Sequence, residues 1–84
     1  MDGSLYRGVS RNGHAGWQIM CMVDSRQQFI ATVDNVTLAA IIHDVISIQC
    51  NGLSVKTNFN YSMLDLLAIV CSPQVLDIKK VNVD

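Results

Sequence analysis

Between Asp34-Asn35 and Asn51-Gly52 the chain carries Val36-Thr37-Leu38-Ala39-Ala40-Ile41-Ile42-His43-Asp44-Val45-Ile46-Ser47-Ile48-Gln49-Cys50, and no other segment constrains the fold so strongly. The Asp/Asn pair in front and the Asn-Gly behind are start and stop signals for an α-helix of about four turns. Leu38, Ala39, Ile41, Ile42, Val45, Ile46 and Ile48 spread over far more than the about 100° stripe that a surface helix buries. Such a helix needs cover on two sides.

The N-terminal third supplies one cover. Leu5-Tyr6-Arg7-Gly8-Val9 reads as a first strand, residues 12–16 as a glycine-rich turn and Trp17 to Val23 as a second strand. Asp24-Ser25-Arg26 turns the chain into a third strand from Gln28 to Val33. Two short connections in succession favour an antiparallel meander. Period-two alternation puts Trp17, Ile19, Cys21 and Val23 on the core face and Gln18, Met20 and Met22 on the outer face, where two methionines are unusual. The second cover comes from the tail: Tyr61-Ser62 caps Met63-Leu64-Asp65-Leu66-Leu67-Ala68-Ile69-Val70, a short apolar helix halted near Ser72-Pro73. Residues 75–83 alternate loosely and fit an edge strand, a docking segment or a frayed end equally well. The expectation is an α+β fold, a three-stranded antiparallel sheet packed on one α-helix with a short additional C-terminal helix. Residues 1–84 read as a single domain, with 5–61 as its core and 62–84 as a C-terminal extension.

A chain of 84 residues has little volume for a core, and a composition that is half apolar and 15% charged partly offsets this. Cys21, Cys50 and Cys71 are odd in number, lack a C-x-x-C pair and sit in apolar runs, so they read as reduced, inert core thiols rather than disulfide or zinc ligands. No uncharged apolar run reaches the roughly 18 residues of a membrane span, and no basic-then-apolar leader opens the sequence. A soluble intracellular protein is expected, nuclear first and mitochondrial second.

Catalysis finds no constellation. His43 and Asp44 are neighbours on a helix, point in different directions and have no placed nucleophile. His14 stands in a turn without a second metal ligand, and Gly8, Gly13 and Gly16 lack the lysine and helix start of a phosphate loop. The expectation is therefore a binding protein, not an enzyme, with no metal, cofactor or small-molecule substrate. Net charge is −1, yet Arg7, Arg11 and Arg26 stand against Asp24 in residues 5–33, whereas Lys56, Lys79 and Lys80 face five Asp beyond them. The positive end is the N-terminal third.

Tyr6-Arg7-Gly8-Val9, Trp17-Gln18-Ile19, Ala39-Ala40, Asp44, Gly52 and Thr57-Asn58-Phe59 occur in an order and spacing that resembles the Apetala-two/ethylene-response-factor family over residues 5–61. The resemblance implies three antiparallel strands on one helix, double-stranded DNA recognised in the major groove by the sheet, and a transcription-regulating role. Arg7 takes the position of the family's opening arginine, Arg11 and Arg26 lie beside usually basic positions, and Gln18 joins them as a nucleic-acid-binding candidate. The chain departs from the pattern at Ser10, Asn12, His14, Met20, Met22, Gln27, Phe29 and His43, mostly by losing cations or large aromatics. Fewer cations mean fewer phosphate contacts, and Met20, Met22 and Phe29 on the same face suit a protein partner or a homodimer. The competing expectation is a repurposed scaffold of the same fold, a structural subunit contacting protein or RNA in a ribonucleoprotein or chromatin complex.

Overall fold

Val, Ile, Met and aromatic residues alternating with Gln and Thr build three strands: β1 (Val9–Arg11), β2 (Trp17–Val23) and β3 (Arg26–Val33). They pair antiparallel in the order β1-β2-β3 and are followed by two helices, α1 (Val36–Asn51) and α2 (Met63–Cys71). The computed structural model describes residues 6–75. The expected α+β arrangement is present, and among the described residues no helix is long and apolar enough to cross a membrane.

β2 spans the expected residues, and its neighbours depart from expectation at their ends. Tyr6, Arg7 and Gly8 form a turn rather than a strand, because Gly8 has φ +75° and a strand cannot pass through that conformation. Leu5 lies outside the described residues, as does the alternating run after Val75. β3 starts at Arg26, earlier than the expected Gln28, because only Asp24 and Ser25 form the hairpin turn. Both have positive φ, 53° and 66°, the geometry that matches a two-residue turn to the twist of its strands.

The register is Val9↔Ile19↔Ala31 across the sheet, with Ser10↔Gln18↔Thr32 beside it. An irregularity follows: Ile19 pairs Ala31 but Met20 pairs Phe29, so Ile30 is the extra residue of a β-bulge and is buried. Val9, Ile19, Cys21 and Ile30 face Ala39, Ala40 and Ile46 of α1, and the two alanines let the helix sit close to the sheet. Trp17, Ala31, Val33, Cys50 and Phe59 pack around this cluster.

Asn35 caps α1 by accepting from the Leu38 N–H at 2.9 Å, and Gly52 closes it at φ +95° with its N–H on the Ile48 carbonyl. α2 opens with the expected Ser62 cap, reinforced by Asp65 in a reciprocal capping box. Its cover of α1 is partial. Gln49 donates to the carbonyls of Ile69 and Pro73 and accepts from the Val75 N–H, so α2 lies against the second half of α1. Leu38 and Ile41 in the first half stay exposed, and α2 itself buries no residue. For the same reason Cys71 is exposed, against the expectation of three core thiols, while Cys21 is buried and Cys50 half-buried.

A serine with φ +66° pays the left-handed penalty that glycine avoids. Ser25→Gly is expected to raise stability by about 1 kcal/mol, read as a higher urea midpoint at unchanged slope.

Candidate nucleic-acid interface

Asp44 organises the site's inner wall. Its side chain is fully buried in α1, where an unpaired carboxylate would be untenable, and donors converge on it from the returning chain. The Asn58 N–H lies 2.9 Å from both carboxylate oxygens, the Phe59 N–H donates at 3.1 Å, the Tyr61 hydroxyl at 2.8 Å and the Asn58 amide at 3.2 Å. His43 Nδ1 is 3.1 Å away, so the two neighbours meet despite the expectation that they diverge. No buried side-chain polar atom among the described residues is left without a partner.

Asn58 carries the connection onward. Its carbonyl oxygen accepts from the Arg7 N–H at 2.5 Å and its amide donates to the Arg7 carbonyl at 3.1 Å. The opening turn is thus clamped to the returning chain, with Tyr6 and Phe59 packed at a ring separation of 5.4 Å. Gly8 is obligatory there: a Cβ would run into the His43 ring and would stand 2.6 Å from the Met20 carbonyl oxygen. The chain thus returns beside its beginning, with Phe59 against the core.

The strand register sorts the candidate binding residues. Gln18 lies on the outer face between Ser10 and Thr32, and Asn12 reaches Thr32 at 3.4 Å. Met20 pairs with Phe29 and Met22 with Gln27, extending that face toward the β2–β3 hairpin, with Met22 46% and Phe29 53% exposed. The arginines are elsewhere. Arg11 pairs with Trp17 in the Val9/Ile19 series, so alternation puts it on the helix side, with its guanidinium 5.2 Å from the Trp17 ring centroid. Arg26 pairs with Val23 and falls on the helix side at the opposite end of β2, ~20 Å along the strand. Arg7 is exposed in the turn before β1. The outer face is therefore an uncharged surface of amides, hydroxyls and apolar groups, with cations at its margins.

One cleft adjoins that face. β1 stops where Met20 donates to the Gly8 carbonyl at 2.8 Å, so the rest of β2 has no strand beside it on that edge. The opening, of about 370 Å³, lies between Arg7, Met20, Met22 and Gln27 on one side and His43, Ser47, Asn51 and Lys56 on the other. Asn51 closes part of the edge by donating to the Met22 carbonyl at 2.8 Å. Lys56 is a site residue that sequence reading missed. The signal available for the cleft itself was the polar series His43, Ser47 and Asn51, spaced one turn apart on α1.

The strand order and the single sheet-packed helix are the arrangement that the resemblance implies. Comparison with known proteins points the same way. Over 70 residues, 80% of the chain, it is 33% identical to the AP2-like ethylene-responsive transcription factor PLT2 of Arabidopsis thaliana. The similarity is of the AP2 type. The chain spans only 12% of that protein's length. No protein-family model matches the chain.

Removing one side of the Asp44 network strands the others. Asp44→Asn is expected to cost about 3–5 kcal/mol, enough to unfold much of the population at 25 °C by circular dichroism. Asn58→Ala should cost less, about 1–3 kcal/mol, in urea titration. Burial, then the hydrogen bond to Asp44, raise the Tyr61 hydroxyl above its ordinary value of 10.0. Because the folded-state value is the higher one, the stability this group contributes is present below pH 10 and lost as pH rises beyond it. Cys21, raised by burial from 9.0, adds a loss of the same sign. Stability should fall on the alkaline side of about pH 9.5, and Tyr61→Phe should flatten that fall in urea midpoints measured across pH.

Proposed function

We propose that this chain is a double-stranded-DNA-binding module of a transcription regulator, and that it binds without catalysing a reaction. The observation that carries the reading is the similarity to an AP2-like transcription factor across most of the chain, on the sheet-and-helix framework that the resemblance calls for. The major groove admits a β-ribbon, and the outer face offers side chains suited to base edges. Gln18 and Gln27 carry the amides that pair with adenine, and Met20, Met22 and Phe29 are apolar partners for the thymine methyl group. Arg7, Arg11 and Arg26 at the margins serve as phosphate and positioning contacts rather than base readers. The reading implies the nucleus as compartment, and the similarity lends nothing to a mitochondrial one.

A second reading, the structural subunit contacting protein or RNA, draws on different surfaces. α2 buries none of its residues and leaves Leu64 79% exposed, and Met22 and Phe29 stand out on the sheet. An apolar surface of that kind is the mark of an interaction site with protein, a second copy included.

Fluorescence anisotropy against pools of AT-rich and GC-rich duplexes separates the two. The first reading expects binding that tightens at low salt and favours AT-rich sites, with Gln18→Ala cutting that preference about fivefold or more and leaving the salt dependence intact. Affinity no better than that of an unrelated acidic protein, with association rising with concentration in analytical ultracentrifugation, would favour the second.

A further inference from the structure

The cations of an interface otherwise free of charge must come from its margins, and the cleft at the open edge of β2 supplies two at one point. Arg7 and Lys56 are 49 residues apart in sequence and line the same opening. One anchor holds both: Asn58 clamps the backbone of Arg7 by two hydrogen bonds, stands two positions after Lys56 and is itself fixed on the buried Asp44. No carboxylate lines the cleft. Neither cation pairs with a carboxylate of the described residues. Both side chains are exposed, in a chain whose formal net charge is −1, so two of its six Lys and Arg residues are concentrated where local charge is positive.

The cleft is also continuous with the outer face, because Met20, Met22 and Gln27 belong to both. A duplex seated on that face passes one sugar–phosphate strand along the margin where the cleft opens. Lysine binds such a strand as a point charge and arginine as a planar fork, and neither needs to know the base sequence. We propose that Arg7 and Lys56 form a clamp on the DNA backbone, with Lys56 as a phosphate-binding residue that sets affinity and register without reading sequence. This rests on the DNA-binding reading given above.

The test is the salt dependence of duplex binding by the intact chain, followed by fluorescence anisotropy at several salt concentrations. Releasing one phosphate contact lowers the slope of log affinity against log salt by about 0.9. Lys56→Ala should show that loss and bind roughly three- to tenfold more weakly at low salt, equally for every duplex sequence. Lys56→Arg should restore the slope, and Arg7→Ala/Lys56→Ala should lose about twice as much. Thermal melts identical to those of the unsubstituted chain would establish that Lys56→Ala leaves the fold intact. Salt-dependent binding by the unsubstituted chain that Lys56→Ala leaves unchanged overturns the clamp and leaves DNA binding standing. No binding by the unsubstituted chain removes both. Lys56-dependent binding to polyaspartate in place of DNA would reassign the cleft to an acidic protein partner and overturn the clamp as well.

Discussion

A single buried carboxylate decides where the segment after α1 meets the opening turn. The Asp44 side chain has no contact with solvent, and its charge is tolerable only because backbone N–H groups, an amide, a phenol and an imidazole close around it. Apart from the imidazole of His43, which neighbours Asp44 on α1, those donors belong to residues 58–61, beyond the end of the helix, so burial of the charge obliges the chain to fold back along it. Once folded back, Asn58 bonds Asp44 and takes hold of the Arg7 backbone with the same side chain. Helix, returning segment and opening turn then become one rigid corner, built from polar groups rather than from added apolar volume. In a chain with so small a core, geometry set by hydrogen bonds achieves what packing alone could not.

The sheet divides its labour by face. The helix-facing rows hold the core and, at opposite ends of β2, the partners Arg11 and Arg26. The outer rows hold Ser10, Gln18, Thr32, Met20 and Phe29, which attract no counterions and lose little on approaching another surface. On the DNA reading, affinity and discrimination come from different places: long-range attraction from marginal cations, selectivity from neutral groups at the centre. Substitution at one would leave the other nearly untouched.

Much of this was legible in advance. The capped apolar run of α1, the alternation of β2 and the Ser62 cap of α2 each depend on neighbours a few residues away, and each formed where local chemistry put it. The misreadings share a cause. Tyr6-Arg7-Gly8 has strand-like composition, but its conformation is dictated by His43, Met20 and Asn58, none of them near in sequence. The faces of Arg11 and Arg26 follow from register, set for Arg26 by a hairpin turn of two residues rather than three and for Arg11 by the pairing of β1 with β2. The contact between His43 and Asp44 follows from burial that squeezes adjacent side chains toward one set of donors. Lys56 lies in a connection with no periodicity of its own, and only the fold brings it to Arg7. The helices were therefore read from local signals, and the candidate site only in part, because its assembly is non-local.

The short first strand leaves bare backbone along half of β2, and exposed sheet edges invite another chain to pair there and propagate. Asn51, the last residue of α1, occupies that edge with its amide on the Met22 carbonyl, and the helix end blocks the approach from the inner side. A strand arriving from a neighbouring molecule would meet a hydrogen-bonding position already taken and a side chain in its path. The residue that finishes the helix thus also serves as a guard against aggregation, which matters in a chain so rich in valine, isoleucine and methionine.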